Sequence, residues 1–186
     1  MSNFPDYGFI DMHIHVLPGV DDGSKDMDMS LAMLKVAAEN NCDTSDVLEF
    51  TSHGYDGFVF DENDNRIDFT GYRVDCITDF ALEYLDQYNG EKPFFMTISH
   101  IEPHHQNDHQ HYEGPVGSKE KYANFTSPKD LEVLEGNHRE EYPDYLGQCA
   151  SLDENLGRLV SKLKEKGLYE DTVIIFVSDH GSHFLT

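Results

Sequence analysis

The sequence predicts an α/β protein, organised as a layered sheet with flanking helices. Two apolar runs, Phe94–Ile98 and Val173–Val177, are short and unbroken, which is typical of strands buried on both faces. Helical periodicity over Val74–Tyr88 and Leu146–Leu163 predicts a helix before each of these strands. Because helices and strands alternate along the chain, we expect the strands to share one sheet that the helices cover.

The N-terminal stretch Gly8–Val16 predicts the first strand. Its residues alternate, which places Asp11, His13 and His15 on one face. Two imidazoles at this spacing can reach the same ion, so His13 and His15 are candidate metal ligands. The alternative, a polar strand face exposed to solvent, stays open at this point.

A hairpin and a helix are predicted next along the chain. Phe58–Phe60 and Arg66–Phe69 flank the polar sequence DENDN, an arrangement typical of two strands joined by a turn. Apolar residues from Val74 to Tyr88 then recur at helical spacing, and Gly90 is the predicted end of that helix.

The strand Phe94–Ile98 is predicted to end in a loop rich in histidine. The histidines at its start are His100, His104, His105, His109 and His111. The polar segment 102–142 is long and weakly periodic, which is typical of a binding loop or of a disordered segment. A cluster of this kind can also bind metal adventitiously, and for His109 and His111 that alternative stays open.

The C-terminal part predicts a long helix followed by the second buried strand. The helix is expected over Pro143–Lys166, with Gly167 as its stop. Its predicted core stripe consists of Leu146, Cys149, Leu152, Leu156, Leu159 and Leu163. The strand Val173–Val177 then ends at Asp179 and His180. Ligands of open α/β sheets bind beyond the carboxyl ends of strands, so Asp179 and His180 are candidate ligands of a divalent metal. A polar turn is the alternative.

Composition limits the partners and the compartment. The 186 residues carry a formal charge of −23, from 36 acidic and 13 basic residues, which would repel nucleic acid and anionic membranes. Cys42, Cys76 and Cys149 form no C-x-x-C pair, which argues against a disulfide framework and fits a reducing compartment. No signal-peptide pattern stands at the N-terminus and no apolar run approaches a membrane span, so a cytoplasmic location is expected.

The first forty-odd residues resemble the polymerase-and-histidinol-phosphatase (PHP) metal-dependent phosphoesterases, in particular their bacterial tyrosine-phosphatase branch. The resemblance rests on IDMHIHVLPGVDDG, Ile10–Gly23, and on the predicted helical stretch Ser30–Lys35. It implies that His13 and His15 bind catalytic metal, manganese or another divalent ion. The further ligands that this family takes from later strands are not found in the sequence.

From about Asp46 the chain resembles the sulfatases of the alkaline-phosphatase superfamily. Four stretches carry the resemblance: Asp46–Phe58, Gly71–Leu85, Lys92–Asp108 and Pro143–Phe184. We therefore expect two segments, a PHP-like strand and helix over 1–45 and a sulfatase-like α/β fragment over 46–186.

The sulfatase resemblance implies a reaction and roles for three residues. Asp179 and His180 match metal ligands of the family, with calcium the expected ion, and His104 matches the histidine near the sulfate leaving group. The implied reaction is hydrolysis of a small-molecule or carbohydrate sulfate ester, in which the cation screens the sulfate charge and His104 stabilises or protonates the leaving oxygen.

The nucleophile that this family uses has no counterpart in the sequence. Sulfatases attack with a formylglycine made from the Cys or Ser of C/S-x-P-x-R, and neither Cys42, Cys76, Cys149 nor any serine stands in that pattern. Because covalent catalysis requires a nucleophile, the site is expected to be catalytically incomplete.

Two other functions stay open on the sequence. One is a PHP-type phosphoesterase or protein-tyrosine phosphatase that uses His13 and His15 with further ligands from the His100–His111 region. The other is a non-catalytic fragment that binds metal.

Overall fold

A computed structural model of the protein describes residues 48–49, 53–60, 65–105, 109, 111–178, 181 and 184. The predicted strand Gly8–Val16 and the helix expected after it lie outside these residues. Four candidate ligands, His13, His15, Asp179 and His180, also lie outside them.

Three antiparallel strands form the sheet that the structure describes. They are β1 (Leu48–Glu49), β2 (Tyr55–Phe60) and β3 (Arg66–Tyr72), in the order β1-β2-β3. Strands β2 and β3 pair with Val59 opposite Ile67, which confirms the predicted hairpin, and Val59 is completely buried. The register shifts near Asp56, whose φ is 50° and whose carboxylate accepts a hydrogen bond of 2.8 Å from the Gly71 amide.

Helix α1 (Arg73–Gln87) begins directly where β3 ends. Val74, Ala81 and Leu85 of the predicted apolar stripe are buried, and the other predicted members are half-buried. The polar Thr78, which the apolar pattern does not indicate, is buried beside them. Gly90 lies three residues past the end with a φ of +77°, which glycine adopts without a steric penalty.

Helix α3 (His138–Glu165) is the longest element, and the short helix α2 (Ser118–Tyr122) packs against it. The prediction that it begins after Pro143 is wrong, because five residues of the helix precede that proline. Pro143 lies inside the helix, in its second turn, where it cannot donate the usual amide hydrogen bond. Glu140 and Glu141 in the first turn suit the positive end of the helix dipole. The predicted end is confirmed, since Gly167 has a φ of +71°.

The buried face of α3 differs from the predicted leucine stripe. Only Leu163 of that stripe is buried, whereas Gln148, Ser151 and Asn155 are all buried. Asn155 donates a hydrogen bond of 2.7 Å to Asp75 of α1, so polar pairing as well as apolar packing joins the two helices. The stripe prediction fails because leucine spacing alone does not show which helix face meets a neighbour.

The two apolar runs predicted as buried strands are not strands in the structure. Residues 93–100 and 172–178 have no regular secondary structure, and 94–98 are only half-buried. Ile175 and Phe176 are 75% and 66% exposed. A strand takes its backbone hydrogen bonds from neighbouring strands, and the described sheet joins β1 to β3 without either run. The α/β class is confirmed, but its described sheet is the antiparallel one.

Candidate functional site

The loop that carries His104 is the described part of the predicted catalytic site. His104 is half-buried, and its amide closes a turn by donating to the Ile101 carbonyl at 3.0 Å. Its ring stacks on that of His105, with centroids 5.3 Å apart and planes within 9°. The loop therefore presents two parallel imidazoles, one of which is the predicted catalytic group.

A buried ion pair fixes this loop to α1. Arg73, the first residue of α1, donates to Glu102 Oε1 from Nη2 at 2.9 Å and from Nε at 3.1 Å. The two side chains are only 4% and 1% exposed. Arg73 Nη1 also donates to the His53 carbonyl at 3.1 Å, so one guanidinium joins three segments. Glu102 lies two residues before His104, which makes Arg73 and Glu102 positioning residues for the loop.

Sequence reasoning missed this pair. Arg73 stands directly before the apolar stripe of α1, and Glu102 stands between apolar Ile101 and Pro103. A charged residue beside apolar ones is the signal in the sequence that could have indicated a buried ion pair. The partners lie 29 residues apart, however, so no local pattern joins them.

His100, at the start of the same loop, is held neutral. Burial, assisted by the positive charge of Arg73, lowers the pKa of His100 to about 4. Its Nδ1 is buried and has no hydrogen-bond partner among the described residues. At neutral pH it therefore adds no charge to the loop.

A chain of ring contacts leads from His104 to the C-terminal segment. His105 lies 5.8 Å from the ring of Tyr112, which is 1% exposed, and Tyr112 lies 5.1 Å from Phe184. Phe184 is buried and also contacts Tyr145 of α3 at 5.6 Å. Phe184 is thus joined to His104 through the rings of Tyr112 and His105.

A second group of ligand-type side chains lies beyond this loop. His109, His111 and Glu113 each offer one ligand atom, and these atoms lie within 4.8 Å of one another. His109 Nδ1 is in hydrogen-bond contact with Glu113 Oε1, and Glu113 Oε2 accepts the Gly54 amide hydrogen bond at 2.7 Å. Burial acts to raise the pKa of Glu113, but the hydrogen bonds from His109 and Gly54 outweigh it and leave that pKa below its usual value. The histidine-rich composition indicates His109 and His111 but does not single out Glu113.

Two family models match the chain. The Sulfatase model matches residues 33–186. The model of the family described as capsular polysaccharide synthesis, CpsB/CapC, matches residues 9–54, about a quarter of the chain.

Relatives and solved structures extend the first match. An ulvan-active sulfatase from Formosa agariphila is 31% identical over 141 residues, which are 70% of this chain and 26% of the relative. The uncharacterized sulfatase YidJ of Escherichia coli is 29% identical over 66% of this chain and 28% of its own length. A protein solved in complex with its substrate, D-glucosamine-2-N,6-O-disulfate, superposes with a TM-score of 0.54 at 18% identity, over 67% of this chain and 41% of that one.

The curated relatives are longer than this chain. The chain spans about a quarter of the length of the two curated relatives named above.

None of the helices that the structure describes has the length and apolar character needed to cross a membrane.

Proposed function

The chain belongs to the sulfatase family, and from that premise we propose that it supplies part of a metal-dependent site for sulfate esters. In this proposal His104 stabilises or protonates the leaving oxygen, and Asp179 and His180 hold a divalent cation. A carboxylate and an imidazole are suitable donors for such an ion, and calcium is the ion proposed. When bound, the cation would screen the negative charge of the sulfate oxygens.

The observation that carries this proposal is the ring contact series His104–His105–Tyr112–Phe184. Each successive pair of rings lies between 5.1 and 5.8 Å apart. Because Phe184 lies only four residues after His180, this packing supports a shared crevice for the C-terminal ligands and His104.

The described residues prepare His104 for this role in two ways. The buried Arg73–Glu102 pair anchors the loop, so the His104 imidazole need not be ordered when substrate binds. Arg73 also compensates the Glu102 carboxylate, which would otherwise repel an anionic substrate beside His104. A chain with a net charge of −23 needs such local compensation to accept a sulfate.

We propose a sulfated carbohydrate as the substrate class. One relative is named as active on ulvan, and one solved neighbour holds a glucosamine disulfate as its substrate. Both are sulfated carbohydrates. The proposal for this chain rests on the segment that matches these two proteins.

The proposal separates binding from turnover. No Cys or Ser of the 186 residues stands in C/S-x-P-x-R, so we propose that these residues bind a sulfate ester without cleaving it.

We further propose that the chain is divided into two segments, a PHP-like one over 1–45 and a sulfatase-like one over 46–186. The two family matches overlap over 33–54, where that boundary falls.

Calorimetry with Ca²⁺ tests the proposed cation site. Wild-type protein should bind Ca²⁺, and Asp179→Asn should abolish binding because it removes the carboxylate ligand. Asp171→Asn is the matched control and should bind like wild type, because it makes an identical change at an exposed residue of the short 3-10 helix Tyr169–Asp171. Unchanged Ca²⁺ affinity in Asp179→Asn would contradict the assignment.

An aryl-sulfate assay beside an aryl-phosphate assay tests the reaction class. Ca²⁺ should promote binding of the aryl sulfate without turnover, and His104→Ala should weaken that binding. Turnover of the aryl sulfate by this chain would contradict the proposed incompleteness.

A phosphoesterase that uses His13 and His15 is the second candidate function. It is motivated by the resemblance of Ile10–Gly23 to the PHP phosphoesterases, and the separate family match over residues 9–54 contains both histidines. It predicts Mn²⁺-dependent turnover of the aryl phosphate, lost in His13→Ala and retained in His104→Ala. Absence of phosphate turnover in wild-type protein with Mn²⁺ would remove this candidate.

A further inference from the structure

We propose that His109, His111 and Glu113 form a binding site for Zn²⁺ or a similar transition metal, separate from the cation site proposed at Asp179 and His180. The three ligand atoms lie within 4.8 Å of one another. Two imidazoles and one carboxylate match the three protein ligands of many zinc sites, in which a fourth position is left to water or another group. The proposal does not depend on the sulfate-ester function.

Glu113 is held in place from a different part of the chain. Its side chain is 15% exposed, and its Oε2 accepts the Gly54 amide hydrogen bond at 2.7 Å. Its backbone carbonyl accepts the Tyr72 hydroxyl at 2.8 Å. Gly54 immediately precedes β2 and Tyr72 ends β3, so the hairpin orients this carboxylate as outer-shell partners orient metal ligands.

The hydrogen bond of His111 defines which of its nitrogens can bind metal. Nδ1 lies 2.9 Å from the Tyr112 carbonyl, which accepts only. Nδ1 must therefore carry the hydrogen, and in the neutral ring Nε2 then carries the lone pair. Metal-bound histidines commonly donate their second ring nitrogen to a backbone carbonyl in this manner.

His109 pairs with Glu113 through a proton that a metal would replace. The contact joins His109 Nδ1 to Glu113 Oε1. Binding of Zn²⁺ would exchange the shared proton for the metal and release that proton to solvent. In a tetrahedral site with bonds of about 2.1 Å the ligand atoms lie about 3.4 Å apart, so the His109–Glu113 contact must open while the wider separations within the group close. The His109 side chain is 55% exposed, which allows that movement without repacking a core.

The donor set favours zinc over calcium. Ca²⁺ takes six to eight oxygen ligands, whereas imidazole nitrogen suits zinc, copper and nickel. The ring of His53 stacks on His109 with centroids 5.8 Å apart and places a further imidazole beside the group. The carbonyl of His53 accepts a hydrogen bond from Arg73, so this part of the chain is also linked to the His104 loop.

Zinc titration of the full chain tests the site. Wild-type protein should bind one Zn²⁺ and show a raised thermal midpoint, because a ligand that binds only the folded state stabilises it. His109→Ala, His111→Ala and Glu113→Gln should each weaken Zn²⁺ binding at least about tenfold and reduce the thermal shift. Glu113→Gln keeps an oxygen that can accept the Gly54 amide, so the variant retains the local hydrogen bond.

Two controls separate this site from other metal binding. Glu120→Gln makes the same change at an exposed glutamate of α2 and should leave Zn²⁺ affinity unchanged. Asp179→Asn removes the proposed calcium ligand and should also leave the Zn²⁺ affinity unchanged. Loss of Ca²⁺ binding can therefore be distinguished from loss of Zn²⁺ binding. Equal Zn²⁺ affinity in wild type, His111→Ala and Glu113→Gln would overturn the proposal. So would several weak Zn²⁺ ions per chain that are insensitive to all three substitutions.

Discussion

The α1–α3 region and the C-terminal run Val173–Val177 show opposite relations between composition and burial. The first buries charged and polar groups, among them Arg73 and Asn155 at 3% and 1% exposure. The second consists of apolar residues, yet Val173 is 86% exposed. The difference lies in partners, since Arg73 and Asn155 have partners on other elements. For these residues, burial therefore depends more on whether another element packs against the side chain than on how hydrophobic the side chain is.

The largest expected effect is loss of the buried ion pair. Arg73→Ala leaves the Glu102 carboxylate buried without its cation and should lower the free energy of unfolding by about 3–5 kcal/mol. Urea denaturation measures this loss. Arg66→Ala is the control, because its pair with Asp68 is exposed and should contribute less than about 1 kcal/mol.

A double variant sharpens this result. Arg73→Met with Glu102→Leu removes both charges and should recover much of the lost stability, since apolar replacements of buried pairs are often nearly neutral. Equal losses in Arg73→Ala and Arg66→Ala would show that the ion pair is not buried as described.

Two apolar truncations compare the regions directly. Leu85→Ala in α1 should cost about 2–5 kcal/mol, because Leu85 is 1% exposed and its truncation leaves a cavity. Ile175→Ala should change stability by no more than about 0.5 kcal/mol, because Ile175 is 75% exposed. The comparison fails if Ile175→Ala is the more damaging of the two.

A smaller effect is expected from acid. The folded-state pKa of His100 is about 4, below its ordinary value of 6.5, so the folded protein binds fewer protons than the unfolded chain between these values. Above about pH 6.5 His100 is neutral in both states and does not lower the free energy of unfolding. As the pH falls to about 4, protonation of the unfolded chain lowers that free energy, and below about pH 4 the loss is constant. The total change should be about 3.5 kcal/mol, from about 1.4 kcal/mol per pKa unit between 6.5 and about 4.

His100→Gln isolates this contribution from carboxylate titration. The difference in unfolding free energy between wild type and variant, measured by urea denaturation from pH 4 to pH 7, should vary with pH as described. A constant difference across that range would show that His100 is not held neutral by burial.

Local patterns account for the elements that the sequence predicts correctly. The hairpin of β2 and β3, the buried stripe of α1 and the end of α3 at Gly167 all depend on neighbours within a few residues. The leucine stripe of α3 and the strand Val173–Val177 depend on which surfaces meet them, and the sequence does not contain that information.

The candidate site divides in the same way. His104 is indicated by a resemblance carried by its own stretch, whereas Arg73, Glu102 and Glu113 gain their roles through partners far away in sequence. Asp179 and His180 remain predictions, supported by the packing of Phe184 against Tyr112.

Paramagnetic broadening by Mn²⁺ tests most directly whether His104 and the pair Asp179 and His180 share one crevice. With Mn²⁺ bound in place of Ca²⁺, the imidazole proton signals of His104, assigned by their loss in His104→Ala, should broaden. The broadening should persist in Glu113→Gln and disappear in Asp179→Asn. Sharp His104 signals in protein whose Asp179-dependent site is occupied by Mn²⁺ would contradict the shared crevice.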